Sequence, residues 1–518
     1  MSGDLVVAID CSTTAAKAVV LDRDGRVLAQ ASHALATSQP HPASHEQDAR
    51  EWWSATRAAL VGAISQVDAA RIGGIGVTNQ RESFVCLDDD GEPLRPAILW
   101  LDGRAQEEIS TLGTARVHEV SGKPPDTTPA IYKLAWLARH EPDVLERAAR
   151  VGDVQAYLSL KMTGRWATSH ASADTLGLLD LQSREWSPEL VQLAGVRAEQ
   201  LPVLVPAGHS LGLLTAEIAA GLGLPGPVPL VAGLGDGQSA GLALGADEPG
   251  VAYLNLGTSM VLGVRADDYV WDPGFRTLEG MVPGTYTLET VLNAAAYLAG
   301  WCRREFGTSS ADGAAGSAGT AGTDGTDEAA QLAWFEEAAS AVPVGCEGLV
   351  TLPYWNAAQT PYWDPLARGA IIGWHGRHTR AHLYRSILEG VAFELRLHLG
   401  RLEEVTGTRL AVIRAVGGGA RSPLWTRIVA DVTQRTVQVC SAAEVSAAGA
   451  GALAFAHLAG RPGEPTWPTP TGEDVEPDAS VAATYDRLYA VYHELYPSLR
   501  DAFAGLARAT AASGAGKQ

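Results

Sequence analysis

One pattern occurs twice in this chain and restricts its architecture more than any other: a short apolar strand, a polar turn, and a second apolar strand. The first copy runs LVVAID (5–10), CSTTAAK (11–17), AVVLDRDG (18–25), RVLAQASH (26–33), with Asp24-Gly25 as a hairpin signal. The second runs VAYLNL (251–256) into GTSMV (257–261). A hairpin that starts at residue 5 needs a larger sheet behind it, and its return near residue 251 predicts two related α/β lobes. Between them the chain reads as a helix over 48–67, where Trp52, Thr56, Leu60 and Ile64 recur every four residues, then a strand, IGGIGVT (72–78). A second hairpin over 83–100, helix over 130–165 and a buried strand, VPLVAG (228–233), follow. In the second half, helical patterns cover 379–405, 422–434, 443–459 and 481–508. The Gly/Ala/Ser/Thr tract over 307–328 is too poor in apolar residues to pack and predicts a flexible loop. The expected lobes are residues 1–246 and 247–518.

Composition removes several functions. With 39 basic residues and a net charge of −20, the chain is a poor partner for nucleic acid or an anionic membrane, although backbone N–H groups or a metal ion could still hold a small anion. The five cysteines are far apart and never in CxxC spacing, as expected of reduced thiols. The start, MSGDLVVAID, lacks a secretory leader's basic residues and long apolar run, so a cytoplasmic location is expected.

Four segments carry chemistry. At Asp10-Cys11-Ser12-Thr13-Thr14 a carboxylate at a strand end precedes a turn of hydroxyls and backbone N–H groups, able to hold a metal ion and phosphate; the plain alternative is a capped hairpin. Gly257-Thr258 opens a similar turn without the acid. The run Val416 to Ala420 includes Gly418 and Gly419 and is followed by Ser422, a helix N-cap, and Pro423 at the first helical position, so a flat ring could lie on bare backbone. Asp236 follows a buried strand and could accept a proton from an attacking hydroxyl, cap a helix, or belong to a dinucleotide-binding GxGxxA turn. The dinucleotide reading lacks the acidic residue it needs at the next strand end. Gln80, Arg81 and Glu82 end the strand IGGIGVT as a donor fork beside an acceptor, suited to vicinal hydroxyls unless they form a surface ion pair. Trp100 and Asp102 could add an apolar wall and another acceptor. The P-loop GxxxxGK[ST] and the protein-kinase HRD and DFG sets are absent.

In this order, from about residue 4 to about 460, the segments resemble the FGGY carbohydrate kinases. AILWLDGR, LNLGTSMV, HPASHEQDAREWW and VGGGARSPLW look like xylulose kinases; VTNQRES and TPYWDPLARGAIIGW look like glycerol kinases. The resemblance implies two ribonuclease H-like, actin-like ATPase domains flanking a cleft, with ATP and Mg²⁺ between them. It implies Asp10 as the magnesium-linked acid together with Asp236, and Asp236 as catalytic base. Ser12, Thr13, Thr14, Gly257 and Thr258 would lie near phosphate, and Gly418, Gly419 and Ser422 would border adenosine. Arg81, Glu82 and Asp236 would contact a small-molecule sugar or polyol. A homodimer is the assembly to test. Thr128, Val261 and Gly237 stand where glycerol kinases carry a tyrosine, an aromatic and a glutamine. These departures favour a pentulose such as D-xylulose, with a polyol (glycerol, erythritol or a pentitol) as the alternative. A non-catalytic actin-like nucleotide switch is the rival from another class.

Overall fold

The computed structural model describes residues 3–307, 325–441, 444–468 and 472–514. Its two main sheets repeat one pairing scheme. In the first, Leu5–Cys11 pairs antiparallel with Ala15–Asp22, which pairs antiparallel with Val27–Ala34; on its other side Leu5–Cys11 runs parallel to Ile72–Asn79, and that strand parallel to Pro229–Val231. In the second, Val251–Leu256 takes the central place, antiparallel to Met260–Ala266 and parallel to Val412–Val416, which is parallel to Thr436–Cys440. Tyr286–Leu292 and Arg276–Glu279 extend the antiparallel side. This duplicated scheme is the ribonuclease H-like, actin-like fold, as the two copies of the strand-turn-strand pattern require.

Alternation along Leu5–Cys11 sorts its side chains to two faces. Leu5, Val7 and Ile9 pack with Trp52 and Leu60 of the helix Ala49–Ile64, which Asp48 caps. Val6 and Ala8 pack with Ala447, Ala450, Ala454 and Phe455 of Val445–Leu458, a helix from the far end of the chain. The second sheet packs one face on the long helix Arg380–Thr406 and on Pro423–Thr433. Leu242, from Asp236–Ala243, meets Val251 and Tyr253 on its other face. Two helices thus lie between the sheets, in close contact: a Cβ on Gly449 would sit 2.0 Å from the Ser239 carbonyl oxygen. Ser239 Oγ donates to the Ser446 carbonyl (2.6 Å), and Ser446 Oγ donates to the Asp236 carbonyl (3.2 Å).

The helix expected over 130–165 is instead Ala130–His140, Pro142–Arg147, the strand Arg150–Asp153 and the helix Val154–Thr163. Pro142 bars helical geometry at Glu141, and Arg150–Asp153 pairs with Phe84–Leu87. Most of the tract expected as a loop, 308–324, lies outside the described residues, and the helix Gly325–Ser340 takes up its end. All five cysteines are unpaired and buried. Among the described residues no helix is long and apolar enough to cross a membrane.

Candidate active site

Asp10, Asn79 and the turn before Asp236 all sit at the carboxyl ends of neighbouring parallel strands, where open α/β sheets place their ligands. Asp10 lies opposite Thr78 in register, and its Oδ1 is buried without a hydrogen-bond partner. Burial first, and then repulsion from Asp236, push its carboxyl up to about 7. A buried carboxylate oxygen with no donor, next to a second acid, suits a divalent cation. In the following turn Ser12 Oγ donates to the Ala15 carbonyl (2.8 Å) and Thr14 is exposed. Thr13 lines a cavity of about 220 Å³ with Gln80, Arg81, Glu82, Trp100 and Asp236. There Trp100 Nε1 donates to Thr13 Oγ1 (2.9 Å), which donates to Gln80 Oε1 (3.2 Å).

Arg81 and Glu82 are buried, so the surface-pair alternative fails. They do not pair with each other as a fork. Glu82 has φ 61°, a left-handed conformation that strains a side-chain-bearing residue, and this turns its carboxylate toward Arg276 Nη1 (3.0 Å). Arg81 lies between Asp236 (Nε to Oδ1, 3.3 Å) and Glu289 (Nη1 to Oε2, 3.2 Å). Glu289 also accepts from Arg276 Nε (2.7 Å) and the Tyr253 hydroxyl (2.6 Å). The guanidinium fits beside Asp236 because glycines flank that acid: a Cβ on Gly235 would lie 2.5 Å from Arg81 Cγ, and one on Gly237 3.2 Å from its Nη2. Asp236 is the first residue of its helix, whose N-cap is Gly235; no side chain caps the helix, although Asp236 Oδ1 accepts the Gly237 N–H (2.8 Å). Its side chain nonetheless stays 43% exposed, facing the cleft. Partial desolvation at the cleft floor outweighs Arg81 and raises its pKa above the ordinary aspartate value.

The second half of the chain supplies Ser259, Val261, Arg276, Val291, Asn293 and Gln359 to the same cavity, and Thr128 completes it. Thr128 and Val261, two of the departures from glycerol kinases, thus both face the space. Lys133 Nζ donates to the carbonyls of Trp100, Thr127 and Thr128, which fixes that wall. Asp102 is not part of the lining: its oxygens accept from Arg104 and the His45 N–H (2.6 Å). Sequence reasoning missed Arg276, Glu289, Asn293 and Gln359. The usable signal was a charge inside an otherwise buried strand, as in RTLE (276–279) and YTLETVL (286–292).

A second cavity, of about 420 Å³, is bordered by Gly418, Gly419, Ser422, Pro423 and Trp425 on one side and Arg303, Leu332, Glu336 and Tyr384 on the other. A Cβ on Gly418 would meet nothing within 4 Å, so this backbone is open to a flat ligand. Ser422 is the expected N-cap, accepting from the Trp425 N–H (3.0 Å), and its Oγ also donates to Glu336 (2.7 Å). Gly257 and Thr258 form the turn after Val251–Leu256, with the Thr258 carbonyl accepting the Ala295 and Tyr297 N–H groups. Their neighbour Ser259 lines the first cavity.

An actin-like pair of lobes with a polar pocket and a glycine-floored pocket suits a nucleotide-dependent phosphotransferase. The descriptions "FGGY family of carbohydrate kinases, N-terminal domain" and "C-terminal domain" match residues 5–243 and 252–458. The chain belongs to the FGGY family of carbohydrate kinases and is a phosphotransferase acting on an alcohol group. It is 30% identical to a xylulose kinase of Escherichia coli, over 96% of this chain and 99% of that one. A xylulose kinase structure from Rhodospirillum rubrum superposes with a TM-score of 0.87 at 31% identity, covering 96% of this chain and 99% of that one. Relatives named gluconokinase and glycerol kinase also match, at 26% and 29% identity.

Proposed function

We propose that this kinase transfers the γ-phosphoryl group of ATP to a terminal hydroxyl of a neutral linear sugar of about five carbons, with a pentulose such as D-xylulose as first choice. One observation carries the neutrality: two guanidiniums, Arg81 and Arg276, share the pocket region with three carboxylates, Glu82, Asp236 and Glu289, so no positive charge is left over for a sugar acid. The small side chains of Thr128 and Val261 leave room for a chain longer than glycerol. The xylulose kinase relatives support a ketose. The Arg-Glu pair of VTNQRES supports the alternative, a polyol such as glycerol, erythritol or a pentitol. A nucleotide switch would have no need for this charge network around Asp236.

In this reading Asp236 accepts the proton of the attacking hydroxyl as its oxygen bonds to the γ-phosphorus and the bond to ADP breaks. Arg81 holds the Asp236 carboxylate in place. Asp10 and Asp236 would hold Mg²⁺, which supplies positive charge to the ATP phosphates. The turns at Ser12–Thr14 and Gly257–Thr258 would approach those phosphates, and the Gly418–Gly419 floor would carry adenosine. The division of labour follows residues 1–246 for substrate and base and 247–518 for nucleotide, in a cytoplasmic enzyme whose dimerisation sedimentation would read. The test is ATP-coupled turnover with D-xylulose, D-ribulose, L-ribulose, xylitol, erythritol, glycerol and gluconate. A pentulose or pentitol should lead and gluconate should fail; a preference for gluconate refutes the charge argument. Asp236→Asn should keep nucleotide binding and lose turnover by a factor of about 10²–10⁴, and near-normal turnover would remove Asp236 from the base role.

A further inference from the structure

We infer that Gln359 reads a second hydroxyl of the sugar, one other than the hydroxyl that is phosphorylated. Gln359 belongs to the segment just before TPYWDP, in the second half of the chain, and lines the same cavity as Asp236. Its Nε2 donates to Asp126 Oδ2 (3.1 Å) across the cleft. A carboxylate only accepts hydrogen bonds, so this contact decides which way the amide points: the NH₂ faces Asp126 and the carbonyl oxygen faces away from it. That oxygen, Oε1, is buried and has no partner. Thr128 Oγ1 donates to the same Asp126 oxygen (3.2 Å), which ties the amide to the Thr128 wall. The backbone is pinned as well, since the Gln359 carbonyl accepts the N–H groups of Tyr362 (2.7 Å) and Trp363 (2.6 Å).

A buried, oriented and unpaired acceptor on a residue that lines a polar cavity is costly until something donates to it. The ligand group that fits is an O–H; a hydroxyl has one proton to give, so the one that Asp236 accepts cannot also satisfy Gln359 Oε1, and the two residues serve different hydroxyls of one substrate. The inference rests on the sugar-kinase reading of this pocket and adds the residue that distinguishes hydroxyl positions along the chain.

The test uses the full-length enzyme, its best substrate from the panel above, and the monodeoxy forms of that substrate. Gln359→Met keeps the length of the side chain and removes both hydrogen-bonding atoms. It should raise KM for the sugar roughly tenfold, with kcat and the KM for ATP little changed. One monodeoxy form should be poor for the wild type and no poorer for the variant, because the deleted hydroxyl and the deleted amide are the two ends of one interaction. Asp126→Asn, which lets the amide turn, should blur the same position while leaving Gln359 in place. An unchanged KM in Gln359→Met, or full discrimination at every deoxy position in both variants, overturns the assignment. If the wild type itself phosphorylates no sugar or polyol, the reading of the pocket fails first and this inference fails with it.

Discussion

Replacing Glu289 by Gln tests the charge network across the cleft. The carboxylate is fully buried and accepts from Arg276, Arg81 and Tyr253. Burial alone would raise its pKa; Arg276 and then Arg81 override this and bring it from the usual 4.5 to about 2. At about 1.4 kcal/mol per pH unit, that interval favours the ionised form by roughly 3 kcal/mol. The figure falls at the lower edge of the 3–5 kcal/mol typical of a broken buried ion pair. Glu289→Gln should therefore lower the melting temperature at pH 7 by roughly 6–12 °C, taking about 2–4 °C per kcal/mol for a lobe of this size. The sign with pH follows from the depressed value. Glu289's contribution is fully present above about 4.5, where the unfolded chain is also ionised, and is lost as pH falls toward 2. Calorimetric scans of both proteins from pH 7 downward should show their gap closing below pH 4.5. A shift under about 2 °C at pH 7, or a gap that stays constant in acid, would refute the reasoning.

Glu289→Gln should also move the acid limb of kcat/KM to lower pH, because Glu289 helps to hold Asp236 above the ordinary aspartate value and Arg81 then faces Asp236 with one competitor fewer; a shift upward would contradict this. Thr128→Tyr combined with Val261→Phe should fill the cavity and cut kcat/KM for a five-carbon substrate by at least about tenfold relative to glycerol, read from parallel steady-state assays. Gly418→Val should raise the KM for ATP with little change in melting temperature. Gly419→Ala should instead destabilise by about 1–3 kcal/mol, since its Cβ would meet Leu256 Cγ at 2.7 Å and Trp425 Cζ3 at 2.8 Å. Equal melting temperatures for these two variants would refute the contrast.

Local chemistry made much of this fold legible. The N-cap and proline at Ser422-Pro423 and the two strand-turn-strand copies are written in adjacent residues, and each forms as read. Asp236 was recognisable because a strand, two glycines and an acid lie side by side. The partners of Arg81 and Glu82 were not recognisable, because Glu289 and Arg276 come from strands about 200 residues away and no periodicity links them. The same distance hid Gln359, whose significance lies in an Asp126 contact 233 residues back along the chain. Over 130–165 the apolar pattern is genuine, but tertiary pairing of Arg150–Asp153 with Phe84–Leu87 took part of it into a sheet. Thr13 shares its turn with Ser12 and Thr14, and nothing in that turn foretells its hydrogen bond with Trp100 at the cavity wall.

The helix Val445–Leu458, which covers the first sheet, also sets the order of events during synthesis. Val6, Ala8, Val19 and Leu21 leave the ribosome early, and the residues that shield them follow about 420 positions later. At 5–20 residues per second this apolar face stays open for roughly 20–80 s, a long interval for a nascent sheet to avoid wrong partners. The first lobe is therefore not a portable module. A gene split after residue 246 should yield an aggregating fragment, and co-expression of the remaining chain should rescue it by returning the missing helix.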